Sequence, residues 1–152
     1  MIRPAREGEA QVCEEILRSL PEWFGIESSI VEYCRDLKVM ETLVAEEDDQ
    51  VVGLLTLNTH NEYTTEVHLM AVRSEWHRRG VGQALLNHAE QLLRSRSVEF
   101  LEVKTLGPSR PDANYEGTRC FYLASGFRPI EENLTMWDEN PCLIMVKHLR
   151  CR

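Results

Sequence analysis

The sequence predicts a mixed α/β fold, a sheet of several strands with helices on its faces. Three observations carry this. Helical and strand-like periods follow one another in the order β, α, α, β, β, β, α, β, α, β, β. Residues 66–105 form a strand, a glycine turn, a helix and a second strand, which is the one clear crossover. The βαβ alternation of a doubly wound sheet and the uniform pattern of a helical bundle are both missing. At 152 residues, 43% hydrophobic and 28% charged, the chain has the size and composition of one soluble domain spanning 1–152.

Each element has its own signature. Residues 7–20 place Ala10, Cys13, Ile16, Leu17 and Leu20 on one helical face, and Pro21 stops the helix. Trp23-Phe24-Gly25 then forms an aromatic loop. A second helix is predicted from Ser29, where Glu32 completes a capping-box spacing; its buried face carries Ile30, Tyr33, Cys34 and Leu37. Strands at 42–46 and 51–57 flank the polar turn Asp48-Asp49-Gln50, and a third strand covers 66–72. The helix at 80–96 carries the apolar stripe Val81, Ala84, Leu85, Ala89, Leu92 and Leu93. Residues 98–105 read as a strand buried on both faces, and 107–112 as a loop by their Gly and Pro content. A helix at 115–124 ends at Gly126, and strands at 127–129 and 143–146 follow.

The net charge of −8 argues against nucleic acid as a partner. No apolar run reaches the length of a membrane span and no secretory leader is recognisable, so no membrane association and a cytoplasmic location are expected. Five cysteines lack metal-ligand spacing and do not form a disulfide framework; no metal is expected.

Against this acidic background, His77-Arg78-Arg79-Gly80-Val81-Gly82-Gln83 stands out. A glycine-rich turn between a strand and a helix aims backbone N–H groups at one point. The positive end of the helix adds to them, so the turn suits a phosphate or pyrophosphate. Arg73, Arg78 and Arg79 strengthen the attraction. The turn is neither a P-loop, which needs Gly-Lys-Ser/Thr, nor a dinucleotide fingerprint, which needs a glycine where Leu85 stands; Glu102 is the acid a dinucleotide site would use.

Two motifs make the chain resemble the GCN5-related N-acetyltransferase (GNAT) family. The first is His77-Arg78-Arg79-Gly80-Val81-Gly82 after Leu69-Met70-Ala71-Val72, similar to the family's Gln/Arg-x-x-Gly-x-Gly/Ala. The second is Phe121-Tyr122-Leu123-Ala124-Ser125-Gly126-Phe127, similar to its aromatic-Tyr-x-x-x-Gly-Phe. His77 replaces the family's Gln or Arg. Tyr115 stands where many members have an Asn, leaving Asn114 and Arg119 as substitutes.

The resemblance implies a GNAT-like fold, a mostly antiparallel twisted sheet of six to seven strands flanked by about four helices. It implies acetyl-CoA as cofactor and transfer of its acetyl group to a primary amine of a small molecule or peptide. Main-chain groups at Met70, Ala71 and Val72 would meet the pantetheine arm. His77, Arg78, Arg79, Gly80, Val81, Gly82 and Gln83 would surround the pyrophosphate. A non-catalytic acyl-CoA-binding regulatory module is the alternative, and the chain is expected as a monomer or homodimer.

An alkyl ammonium near pKa 10.4 must lose a proton before it attacks, which costs about 4.6 kcal/mol at neutral pH. By the resemblance Glu66 is the base, with His68, at the same parity on the strand, sharing or holding the role. Tyr122 is the acid, or the hydrogen-bond donor to the leaving thiolate. Trp23 and Phe24 fall where the family builds its substrate wall, and Trp137 where an opposite lip would stand. The cysteines read as packing residues, so direct transfer in a ternary complex is expected.

Overall fold

A computed structural model describes residues 1–149, and Cys151 lies outside them. The helices begin where the apolar periods do, with shifted ends. Helix α1 (Ala10–Arg18) buries Cys13, Ile16 and Leu17. Helix α2 (Glu27–Val39) starts two residues earlier than the Ser29 cap predicted, with Ile26 at its N-cap and no capping side chain. Its first residue is instead tied to α1, because Arg18 forms an ion pair with Glu27 at 2.8 Å. That contact lies between helices and leaves no local sequence signal.

The strands are β1 (Ile2–Pro4), β2 (Glu41–Glu47), β3 (Gln50–Thr59), β4 (Thr64–Val72), β5 (Phe100–Leu106), β6 (Arg128–Trp137) and β7 (Asn140–His148); α3 (Val81–Ser95) and α4 (Ala113–Ala124) complete the elements. They form a seven-stranded sheet in the order β1-β2-β3-β4-β5-β7-β6. Antiparallel pairs are the more numerous, and β4 pairs with β5 in parallel, from Thr64↔Phe100 to Val67↔Val103. A parallel pair needs a crossover connection, which α3 supplies. Among the described residues, no helix is long and apolar enough to cross a membrane.

Contacts divide the chain into two compact units, with β4 contributing to both. The first comprises 1–58 and 68–92. Its core joins Cys13, Ile16, Leu17 and Leu20 to Leu37, Val44, Val51, Leu54, Leu69 and Ala71. The turn between β2 and β3 bends through left-handed Asp48 and Asp49, at φ 51° and 61°. Short polar side chains tolerate that region.

The second unit comprises 59–67 and the described residues from 93 onward. Leu101, Val103, Tyr122, Phe127, Cys142, Met145 and Leu149 are buried there. Helix α4 begins at Ala113, two residues before the predicted start, because the Asp112 carboxylate accepts the amides of Asn114 (3.0 Å) and Tyr115 (3.2 Å). Strand β6 runs to Trp137 rather than ending near Pro129. Its residues are mostly exposed, so it has little apolar alternation to read, and its strand character comes from pairing with β7.

Candidate active site

The first unit carries the glycine turn. After β4 the chain makes a 3-10 turn at Ser74–Trp76 and enters α3. Arg78 and Gly80 both adopt left-handed backbone, at φ 62° and 81°. Gly80 does so without strain, while Arg78 stores about 1 kcal/mol or more. The helical ladder opens with the Ala84 amide donating to the Gly80 carbonyl at 2.9 Å. The amides of residues 81–83 precede that ladder at the positive end of a fifteen-residue helix. This is an anion-binding geometry.

Supporting contacts fix the turn. His77 Nε2 lies 2.6 Å from the Val72 carbonyl, tying the turn back to the end of β4. The Arg73 amide donates to the Val52 carbonyl at 2.8 Å and its Nε to the Val51 carbonyl at 3.0 Å. The Arg79 guanidinium lies 5.1 Å from the centre of the Trp76 ring, and Gln83 donates to Asn87 at 2.8 Å. Thus His77 anchors the turn through its side chain. Gly53 was not singled out in the sequence. A Cβ there would meet the Ala71 carbonyl oxygen at 3.2 Å, Leu85 at 3.2 Å and Val81 at 3.3 Å. Its missing side chain lets the start of α3 press onto β3 beside the turn.

Trp23 and Phe24, expected at a substrate wall, pack against the core of this unit. The Trp23 ring meets His77 edge-on at 5.7 Å, and Phe24 meets Tyr33 at 6.0 Å. His68 Nε2 is 2.7 Å from Asp36 Oδ2 on α2, with Tyr33 against its ring at 5.8 Å. Asp36 had no local signal, since an exposed acid within an amphipathic helix reads as solvated surface. The structure makes it the orienting partner of His68.

The second unit holds Glu66. Its side chain is 7% exposed and forms part of a cluster with His60, Glu102 and Lys104. His60 Nε2 lies 3.1 Å from Glu66 Oε1 and 3.0 Å from Glu102 Oε1. Lys104 Nζ lies 3.3 Å from Glu66 Oε2 and 3.3 Å from Glu102 Oε1. Burial pulls the Lys104 ammonium down, but Glu66 and Glu102 outweigh it and hold it above its usual value. His60, Glu66 and Glu102 could together offer three donor atoms to a metal, all within 4.8 Å of one another. The Lys104 ammonium already offsets part of their negative charge.

The sequence reads residues 98–105 as a strand buried largely on both faces. Instead β5 alternates, with Leu101, Val103 and Thr105 buried and Glu102 and Lys104 half-buried. The strict period of two in Phe100-Leu101-Glu102-Val103-Lys104 was the signal that could have found the pair.

Tyr122 is 5% exposed. Its ring lies edge-on to Phe121 at 5.4 Å and Phe127 at 5.3 Å, and burial pushes its phenol well above the ordinary value. Such a phenol is a poor proton donor but remains a protonated hydrogen-bond donor. Arg119 donates to the Leu106 carbonyl at 2.7 Å, and Asn114 is exposed on the first turn of α4. Trp137 ends β6 opposite Asn140, at the β6–β7 hairpin. Burial raises the thiols of Cys13 and Cys142 to about 11, and Cys34 is also shifted upward by burial and then Glu14. None of these three is an activated thiolate.

A mixed seven-stranded sheet with a glycine turn at the head of its crossover helix defines an α/β fold with an anion-binding turn. The family model for the acetyltransferase (GNAT) family matches residues 10–115. The chain belongs to that family.

Solved structures agree on the fold. A GNAT family acetyltransferase from Elizabethkingia anophelis with acetyl-CoA bound superposes with a TM-score of 0.79 at 18% identity, covering 98% of this chain and 97% of the other. The ribosomal-protein-S18-alanine N-acetyltransferase from Escherichia coli gives 0.81 at 15% identity, covering 100% and 95%. An aminoglycoside 6'-N-acetyltransferase from Enterococcus faecium gives 0.75 at 20% identity, covering 100% and 98%. Among curated proteins, "Increased DNA methylation 1" of Arabidopsis thaliana is 31% identical over 91 residues. Those residues are 60% of this chain and only 7% of that much longer protein.

Proposed function

We propose that the protein is an N-acetyltransferase that moves the acetyl group of acetyl-CoA to a primary amine of a small molecule or peptide. The observation that carries this reading is the helix-headed turn with left-handed Gly80 and the amides of residues 81–83 ahead of the helical ladder. That geometry suits a pyrophosphate, and family membership makes the pyrophosphate that of coenzyme A. Arg78 and Arg79 add positive charge, and main-chain groups of Met70, Ala71 and Val72 take the pantetheine arm.

Glu66 is the base. The ammonium loses a proton to the Glu66 carboxylate, directly or through water. The freed amine then attacks the thioester carbonyl, a C–N bond forms as the C–S bond breaks with its electron pair on sulfur, and the nitrogen gives up its second proton to that sulfur, so that coenzyme A leaves as the thiol. Tyr122 steadies the thiolate by donating a hydrogen bond, a role its raised pKa favours over proton transfer. His68, held by Asp36, is an orienting group rather than the first base. Raised thiols at Cys13 and Cys142 favour direct transfer over an acetyl-cysteine intermediate. Among the similar structures, one is named for an alanine amine and another for an aminoglycoside amine, which supports an amine acceptor.

Thermal unfolding with and without acetyl-CoA tests the cofactor site. Acetyl-CoA at about 100 times its Kd should add roughly 2.7 kcal/mol. No shift at millimolar acetyl-CoA would refute the assignment. A clear shift without turnover across a panel of primary amines would favour the acyl-CoA-binding module instead.

A further inference from the structure

The aromatic loop after α1 reaches the glycine turn at His77. Trp23 is half-buried and sets its ring edge-on to the His77 imidazole, with centroids 5.7 Å apart and planes at 81°. His77 in turn donates from Nε2 to the Val72 carbonyl at 2.6 Å. One imidazole is thus held at two points, its nitrogen by the end of β4 and its ring by the loop. All three residues belong to the first unit.

The loop is firmly anchored. The amides of Trp23 and Phe24 both donate to the Leu20 carbonyl, at 3.1 and 2.9 Å. Gly25 folds so closely that a Cβ there would meet the Pro21 carbonyl oxygen at 3.0 Å. Leu20 is buried, and the Phe24 ring rests against Tyr33. Trp23 is therefore presented from a fixed position. The turn it touches is the opposite. Residues 77–80 are exposed, and Arg78 and Gly80 both require left-handed backbone. A non-glycine residue keeps such backbone only where its surroundings hold it there. A hydrogen bond from an exposed imidazole competes with water. An aromatic ring on its flank removes part of that competition and restricts the imidazole to one rotamer.

We propose that Trp23 is a positioning residue of the cofactor turn. Through His77 it holds residues 77–80 in the shape that aims the amides of residues 81–83 at the pyrophosphate of acetyl-CoA. This rests on the reading of the turn as the coenzyme A site. Trp23 acts through His77 and needs no contact with the cofactor. Its truncation therefore shows in acetyl-CoA affinity.

Calorimetric titration with acetyl-CoA tests this on the wild type, Trp23→Leu, Trp23→Phe, His77→Ala and the Trp23→Leu/His77→Ala double variant. Leucine keeps apolar bulk against the core but has no ring edge for the imidazole, whereas phenylalanine keeps a ring. Trp23→Leu should weaken binding by about fivefold, and Trp23→Phe should stay within about twofold of wild type. His77→Ala should lose at least as much as Trp23→Leu. The double variant should bind within about twofold of His77→Ala, because two residues acting through one contact do not add. Unchanged affinity in Trp23→Leu overturns the proposal. So does a double variant whose loss is the product of the two single losses, the result that independent structural damage gives. Should Trp23→Leu fail to fold, His77→Ala decides: wild-type affinity there leaves Trp23 nothing to act through and overturns the proposal equally.

The reading of the turn fails by a separate signal. Wild-type protein that binds no acetyl-CoA overturns the coenzyme A site, and this proposal with it. Wild-type binding together with full affinity in Trp23→Leu overturns the proposal alone.

Discussion

His68 on β4 and Asp36 on α2 meet at 2.7 Å, so an imidazole of the central sheet is held by a carboxylate from a helix. The two side chains are 22% and 29% exposed. Replacing Asp36 by Asn should cost about 0.5–1 kcal/mol, as partly exposed pairs do. Acetyl-CoA affinity should stay within about twofold, since neither residue belongs to the glycine turn. Urea unfolding and calorimetric titration with acetyl-CoA check the two halves. A tenfold loss of affinity would show that the pair shapes the cofactor site.

The glycine turn gives opposite expectations at neighbouring positions. Gly80 has φ 81° and open space where a Cβ would go, so Gly80→Ala meets only backbone strain. The expected loss is about 1–2 kcal/mol, with weaker acetyl-CoA binding as the turn relaxes. Arg78 already sits at φ 62°, so Arg78→Gly should relieve about 1 kcal/mol while removing a charge from the turn. Melting with and without acetyl-CoA separates the effects. The Arg78 variant should melt no lower than wild type alone, yet gain less from the cofactor.

Among the carboxylates, Glu9 should make a distinct contribution to acid sensitivity. Glu9 is hydrogen-bonded to Arg3 through both oxygens at 2.8 Å, and also accepts the Arg6 amide. These bonds hold its pKa at about 2, against an ordinary 4.5. A folded-state pKa below the unfolded one adds stability above pH 4.5, and that stability fades as pH falls towards 2. For a partly exposed pair, about 1–2 kcal/mol should disappear across this window. Glu9→Gln should flatten that part of a stability–pH curve while lowering stability at neutral pH. An unchanged slope between pH 4.5 and 2 would contradict the assignment.

Tyr122→Phe isolates the hydroxyl, because the ring's edge-on contacts with Phe121 and Phe127 survive. Stability should change by no more than about 1 kcal/mol. Single-turnover rates should fall by about tenfold or more if the hydroxyl steadies the leaving thiolate, with acetyl-CoA affinity unchanged. Wild-type rates in this variant would leave Tyr122 as a packing residue.

The motifs that local chemistry writes plainly were legible in the sequence. The strand, the glycine turn and amphipathic α3 follow from spacing alone, and Gly126 ends α4 as its position predicts, at φ 101°. What was not legible depends on partners distant along the chain. His60 reads as a loop histidine until β4 and β5 pair and bring Glu66 and Glu102 to it. Lys104 falls in a stretch that reads as buried on both faces, and only the same register shows it between two carboxylates. The length of β6 was hidden because Ile130, Leu134 and Met136 are exposed, leaving no buried face for a period of two to mark.

Those exposed side chains sit on the outermost strand of the sheet, where open backbone groups invite other chains to add on. The strand blunts that invitation in its own backbone. Pro129 cannot donate to a new ladder, register shifts fall after Pro129 and Asn133, and Asn133 Oδ1 captures the amides of Thr135 (2.9 Å) and Met136 (2.8 Å). Glu131 and Glu132 add charge between the breaks. An incoming strand would find no uninterrupted template along this border. The same stretch thus carries its exposed apolar side chains on a rim whose backbone is broken against strand addition.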